Sequence, residues 1–562
     1  MIANLTVTLI TLVALILAGR YLGRRVAPNL PPSTYTALGV SLALAWVAAG
    51  AVVGVLLGIT GQLFYLAWVL PLVGLAVSAL RANAGVLLET PVMASLGLGL
   101  AASLIMATPF VPEGQMDPGT IYEGRIPGRP PDNRLPYRTG QYILNELDLD
   151  TTRYFIDWDL TDRTQLSAAA ASTIVGGLGV IVPSDEIWYL PASDTPWSAV
   201  DDYGYWAFRS VLIAFSALLP LGVAALAAPW FNEQVGNIAA LIASMSVFSL
   251  TETLFTWPKY LAVFFAATGL GLLLRRRPAL GGIVLGLGYL SHPVALLILA
   301  PGAVLVMTRD RDSRRRSLAI FLASFAAILA PWFIWTSLVL GETSRLILYP
   351  LGWIIGQDGS LSNDLGPALS AFFHRFPGGI LTDRWISLRD SMDPFGLIRA
   401  LSSSQPRGAL FLVYDRTIPG LIGFGAIVPL VIGWWRSASV RAGLLVATVA
   451  SLAAALAMWG VWPRALGADT LQPLIPFLAI SAAVGLATVA WTARFVWLAA
   501  CETFFVVDFT LFSGVDGLWR ASLARLAYGG FLFAAAASCI RLIRARPDGP
   551  SQGPEGLDPK AA

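Results

Sequence analysis

Continuous apolar runs recur along the chain, over 2–19, 35–58, 63–80, 86–110, 207–230, 234–256, 258–274, 317–340, 418–435, 441–461, 470–491, 494–513 and 521–543. Their lengths lie near the roughly 20 residues that an α-helix needs to cross a hydrocarbon core. Strands of a membrane barrel would alternate apolar with polar positions, and these runs do not. The pattern therefore predicts an all-α polytopic membrane protein. Segment 279–307 is apolar as well, yet Arg275, Arg276 and Arg277 precede it, and Arg309, Arg311, Arg314, Arg315 and Arg316 follow it. A single span would put one cluster on the wrong side of the membrane. Its centre reads Ser291-His292-Pro293, a polar pair followed by a helix breaker. A hairpin of two short helices, 279–290 and 294–307, is predicted, with its apex below the outer surface.

With that choice the charges agree on one orientation. Arg20, Arg24, Arg25, Arg81, both clusters, Arg436, Arg441, Arg494, Arg541, Arg544 and Arg546 fall on the cytoplasmic side. The positive-inside rule then gives a bundle of about 13–15 spans, N-terminus outside and C-terminus inside. Five regions follow: N-terminal helices over 1–85, a transmembrane core over 86–340, a second external region over 341–417, C-terminal helices over 418–543 and a polar, disordered tail over 544–562. The first external segment, 113–206, belongs to the core and holds 15 acidic residues against 6 arginines. Within it Leu166–Val182 is mildly apolar; spanning there would carry the acidic 185–202 stretch inside. An interfacial or re-entrant helix is expected instead. The second external segment has 7 acidic residues and 7 arginines, with amphipathic patches such as "LGPALSAFFHRF".

Composition agrees with a membrane protein: 56% of 562 residues are hydrophobic, 13% are charged, and mean hydropathy is +0.69. A net charge of +3 without any basic domain gives no reason to expect a nucleic-acid partner. Cys501 and Cys539 both lie in apolar runs, so no disulfide framework is expected. The run Ile2–Ala18, followed by Arg20, Arg24 and Arg25, reads as a retained anchor and not a cleaved signal. Arginine outnumbers lysine 35 to 2, and with abundant Ala and Gly this points to a GC-rich bacterial genome. The expected location is a bacterial plasma membrane.

Chemistry enters at four places. In "PPDNRLPYRTGQYILNEL" a helix is predicted over Arg134–Leu147, and Asp132 is either its N-cap or a general base at the membrane surface. In "YFIDWDLTDRTQLSAAAAS", Asp157, Asp159 and Asp162 stand within six residues beside Arg163. They can hold a divalent cation or an acceptor, or Asp162 or Thr161 can simply cap the Ala-rich helix that follows. Span 234–256 runs outward past Glu252, and span 258–274 returns from Pro258-Lys259. Lys259 is the only lysine outside the tail, set where a helix N-terminus presents free N–H groups. It either snorkels to the headgroups or holds a phosphate. His292, at the hairpin apex, is either a neutral imidazole satisfied by backbone or a functional group inside the membrane. His374 is expected in solvent. Neither histidine has metal-ligand spacing, and no Walker A loop, G-x-S-x-G or dinucleotide fingerprint occurs.

The order of an acidic external segment with an early Asp, then "TWPK", then "LGGIVLGLGYLSHPVALLILAPGAVLV" closed by arginines resembles GT-C superfamily membrane glycosyltransferases. The likeness is to bacterial members related to dolichyl-phosphate-mannose and aminoarabinose transferases, and it covers about 86–340. It implies a GT-C-like helical bundle with two external loop regions. It also implies a polyprenyl-phosphate sugar donor, a glycan, lipid or protein acceptor, and a site on the external face serving envelope glycan assembly. By the same resemblance Asp132 matches the base, and Lys259 with His292 matches the groups on the donor phosphate. Two departures stand out: three extra spans precede the core, and no second acid adjoins Asp132, which leaves a metal requirement open. The competing readings are a lipid-linked glycan transporter or flippase, an O-antigen-type ligase or polymerase relying on arginines of 341–417, and an envelope scaffold. No internal repeat of the kind common in carriers is visible.

Overall fold

The computed structural model describes residues 2–107, 135–145, 153–155, 158–159, 165–181, 203–302, 314–339, 471–487 and 492–507, with parts of 370–454. It is a helical membrane protein. In chain order the first helices are α1 (Ile2–Val26), α2 (Pro32–Leu57), α3 (Gln62–Ala82) and α4 (Thr90–Ala107). The acidic segment contributes α5 (Leu135–Leu144), a two-stranded antiparallel ribbon of β1 (Arg153–Phe155) and β2 (Trp158–Asp159), and α6 (Leu166–Gly177). The core continues through α7 (Tyr203–Ser216), α8 (Leu219–Trp230), α9 (Glu233–Met245), α10 (Val247–Phe255), α11 (Lys259–Leu274), α12 (Pro278–Ser291) and α13 (Arg314–Ile334). Then come α14 (Gly378–Met392), α15 (Gly396–Leu401), α16 (Pro406–Arg416), α17 (Ile418–Ile422), α18 (Ile475–Ala487) and α19 (Thr492–Val507). A main apolar core has buried members from Leu12 to Val507, and a smaller cluster of Val247, Ala400, Leu410, Tyr414 and Val506 holds α15 and α16.

Among the described residues five helical stretches are long and apolar enough to cross a membrane: Ala3–Val26, Pro32–Leu57, Gln62–Ala82, Gly204–Trp230 and Arg315–Ser337. A sixth is the pair α9 and α10, which meets at a 66° bend. The sequence pattern predicts an unbroken span there, over 234–256. The break has a local cause: Ser246 leaves helical geometry (φ −76°, ψ 144°) and its Oγ accepts the N–H of Ser249 at 3.0 Å, an N-cap inside an apolar run. The expected span 418–435 is interrupted too. Gly423 takes φ 85°, a left-handed value open to glycine, and ends α17 after five residues. The expected span 86–110 starts later, at Thr90, because a 3₁₀ turn over Ala84–Leu88 comes first. The expected span 521–543 and the tail lie outside the described residues.

Glycine packing traces the predicted hairpin over its described part, 279–302. A Cβ on Gly281 would meet the carbonyl of Gly269 at 2.7 Å, near the arginine-bearing end of α11. One on Gly288 would meet Ala262, Phe265 and Ala295, near the other end of α11. One on Gly302 would meet Leu270, back toward the arginines. The chain thus rises along α11, turns at His292-Pro293 and descends, as the paired arginine clusters require.

The N-terminal helices are built into the same core. Gly19 and Gly23 of α1 sit against α2, where a Cβ on Gly23 would overlap the Tyr35 carbonyl and one on Gly39 the Gly19 carbonyl. Small residues four apart let two backbones approach in lipid, where dispersion and not water drives association. Arg20 then fastens this pair to the start of α4. Its guanidinium is bidentate to Glu89 (Nη2–Oε1 2.7 Å, Nη1–Oε2 3.1 Å), reaches Thr36 Oγ1 at 3.0 Å and lies 4.6 Å from the centre of the Tyr35 ring. The Ala-rich helix α6 packs on α2, α3 and α5, with every residue from Ser167 to Gly177 buried. The helix expected to be interfacial or re-entrant is thus covered by protein on all its sides, as a helix apolar all round requires. Gly39→Val is expected to lower the detergent Tm sharply, by a destabilisation of about 3 kcal/mol or more. Gly74→Ala, with nothing within 4 Å of the added carbon, is expected to leave Tm unchanged in the same thermal-shift assay.

Candidate functional site

The turn between α10 and α11 carries the unusual residues. α10 ends at Phe255, and Thr256 adopts φ 58°, ψ 23°, a left-handed conformation that a β-branched residue takes only at a cost. The turn redirects the chain into Pro258, whose fixed φ of −68° pre-sets the first turn of α11. Lys259 is the first residue of that helix, and Ala262 N–H already bonds back to the Pro258 carbonyl at 2.9 Å. The register of α11 against α10 is fixed one residue later. Tyr260 Oη donates to Ser249 Oγ at 3.1 Å, and Ser249 Oγ also receives the Ser246 hydroxyl at 2.8 Å.

Lys259 is 2% exposed. Its stem does not lie along lipid: Nζ sits 3.3 Å from the centre of the Trp257 ring, a cation–π contact. His292, also buried, meets the same indole edge-on, with centroids 6.2 Å apart and planes at 80°. Trp257 is thus the common wall between an ammonium and an imidazole contributed by two different helical elements. The backbone of His292 is extended (φ −164°, ψ 137°) where α12 stops, and its Nδ1 accepts the N–H of Val294 at 3.1 Å. An accepting Nδ1 leaves the ring proton of a neutral imidazole on Nε2, so Nε2 is the donor side. The backbone partner of this face of the ring is thus an N–H.

Glu252, on α10, is fully buried and accepts from Gln472 Nε2 at 3.4 Å, a long contact. Gln472 opens a 3₁₀ turn, Gln472–Leu474, that packs on both the Pro293–Ile298 turn and α11. Lys259, His292 and Glu252 therefore belong to elements gathered at one end of α11, opposite Arg275–Arg277. Among the other predicted residues, Asp159 stands in β2, in register with Arg153. Asp132, Asp157, Asp162 and Arg163 lie outside the described residues. Among the described residues no three His, Cys, Asp or Glu side chains gather as a metal site. His374 is exposed, and Cys501 is an exposed free thiol.

Two contributors escape the sequence reading. Trp257 is within the quoted "TWPK" yet gives no sign there of being the shared wall. Arg209 sits inside the predicted span 207–230, and an arginine within a span was the available signal. It is 4% exposed; Nη1 donates to Tyr205 Oη at 2.8 Å and Nη2 to the Leu254 carbonyl at 2.7 Å. Leu254 is in the last turn of α10, where carbonyls lack intrahelical donors and the dipole favours a cation. Arg209 thus braces the end of α10 two residues before strained Thr256. Chemically, the arrangement offers a cation and an N–H donor in a water-poor setting, suited to a phosphate or similar anion.

No family model matches the sequence, and no curated protein matches it. Among solved structures, the chain is similar to the archaeal oligosaccharyltransferase AglB from Archaeoglobus fulgidus in complex with an inhibitory peptide and a dolichol-phosphate, at 16% identity and TM-score 0.37. That likeness covers 83% of this chain and 56% of the other. It is also similar to the Archaeoglobus fulgidus oligosaccharyltransferase in complex with zinc and sulfate, at 16% identity and TM-score 0.33, over 82% and 54% of the two chains. The chain spans about half the length of these structures. Arg209→Met is expected to destabilise the protein by about 1.5–3 kcal/mol, the worth of a hydrogen bond from a charged donor, read as a lower detergent Tm.

Proposed function

We propose that this protein is a membrane glycosyltransferase of GT-C type that transfers a sugar from a polyprenyl-phosphate donor to an acceptor hydroxyl. The observation that carries the proposal is Lys259: a buried ammonium at the start of an apolar helix, against Trp257, with His292 on the same ring. A water-poor setting strengthens the hold of such a cation on a phosphate.

The step is a direct displacement at the anomeric carbon. The acceptor oxygen forms the new bond while the bond from that carbon to the phosphate oxygen breaks with its electron pair. The acceptor proton passes to the carboxylate of Asp132, the proposed base. The donor diester carries one negative charge, and the departing polyprenyl phosphate acquires a second. Lys259 and the Nε2–H of His292 therefore bind the transition state more strongly than the bound donor, which is the condition for raising the rate. The acceptor is a glycan, lipid or protein, and the proposed setting is the external face of a bacterial plasma membrane. Asp157, Asp159 and Asp162 are proposed to border the acceptor, with a divalent cation as a further occupant.

Lys259→Met is expected to lower kcat/KM about 100-fold or more in membranes supplied with a polyprenyl-phosphate sugar. Lys259→Arg is expected to fall well short of wild type, because a planar guanidinium does not reproduce a point charge on an indole. Asp132→Asn is expected to abolish transfer while the protein remains expressed and donor still binds. Wild-type turnover by Lys259→Met or by Asp132→Asn would overturn the corresponding assignment.

A further inference from the structure

The helices of the second polar segment expose an apolar surface that a water-facing loop would not. Leu381, Trp385 and Met392 of α14 are 58%, 64% and 52% exposed, and Phe395, Ile398 and Leu401, in and just before α15, are 62%, 64% and 58% exposed. At about 100° per residue, Leu381, Trp385 and Met392 share one stripe of α14 and Asp390 falls on the other side. These exposures compare with those on membrane helix α3, where Leu63, Leu70 and Val73 are 82%, 55% and 44% exposed.

What covers this surface follows from where α15 is anchored. Ala400 is buried in a small apolar cluster with Leu410 and Tyr414 of α16, Val247 of α10 and Val506 of α19. Val247 and Val506 belong to apolar helices of the membrane bundle, so α15 is held against that bundle with Ile398 and Leu401 turned outward beside it. The charges in this stretch sum to zero and give no charged partner a net field to follow. Gly378–Leu401 contains Arg384, Arg389 and Arg399 against Asp383, Asp390 and Asp393, and Arg389 pairs with Asp390 while Arg399 pairs with Asp393. An exposed apolar stripe held beside a membrane bundle fits the headgroup–acyl boundary of a bilayer, where binding scales with the apolar area covered.

We infer that Gly378–Leu401 lies in the lipid–water interface of the bilayer that the same chain spans, with these six apolar side chains in the acyl boundary. This assignment does not depend on the transfer reaction proposed above. The test uses the full chain, with Cys501 and Cys539 replaced by Ser, in phosphatidylcholine nanodiscs. Nitroxides at Trp385→Cys, Ile398→Cys and Asp390→Cys are compared by power saturation with oxygen and a water-soluble nickel chelate. The oxygen-to-nickel accessibility ratio is expected to be several-fold higher at 385 and 398 than at 390. Equal ratios at all three sites, or spin–spin broadening showing that a second copy covers the stripe, would overturn the assignment. A second measurement needs no substitution: a diazirine-bearing phosphatidylcholine is expected to label peptides of 378–401 as strongly as those of α3. Absence of label there, with α3 labelled, would contradict it.

Discussion

A buried ammonium is the constraint around which this end of the protein is organised. Removing a lysine charge from water is costly unless other groups replace the lost hydration. Here the replacement begins with the Trp257 ring, 3.3 Å from Nζ, and the first turn of α11 sets where the lysine starts. Several features that look unrelated serve that arrangement. Thr256 accepts a left-handed backbone to turn the chain, Arg209 braces the helix end before it, and Tyr260 locks the helix after it. The hairpin brings His292 to the same indole, edge-on, with centroids 6.2 Å apart.

The rest of the bundle explains how such a strained corner is held. α11 is buried along its whole length between α8, α12 and their neighbours, so the turn at its head has little freedom to relax. The N-terminal helices add to this from a distance. Gly19, Gly23 and Gly39 bring α1 and α2 into backbone contact, Arg20 ties them to Glu89, and Ser33 donates to Glu233 at the start of α9. The buried helix α6 then joins these helices to α5 and the acidic segment.

Much of this was readable from residues alone. The apolar runs gave an all-α membrane protein, the two arginine clusters required a hairpin, and Ser-His-Pro marked its apex. Lys259 stood out because the chain otherwise uses arginine. The remainder depends on contacts that a linear pattern does not contain. Ser246 breaks an apolar run only because its hydroxyl finds the Ser249 N–H, and "SMSVFS" looks no more polar than other stretches that stay helical. Arg209 could be noticed as an arginine in a span, but its partner, the Leu254 carbonyl, is a product of how α10 ends. The role of Trp257 required two helices to meet on one ring, and the burial of α6 required α2 and α3 to cover it.

The central claim is that Lys259 and His292 together hold the phosphate of a lipid-linked donor. The most direct measurement is an experimental structure of the protein in nanodiscs with a polyprenyl phosphate bound. The phosphate is expected within hydrogen-bond reach of Lys259 Nζ and His292 Nε2, beside the Trp257 ring. A phosphate bound elsewhere, with Lys259 still seated on Trp257 and unchanged by the ligand, would contradict it.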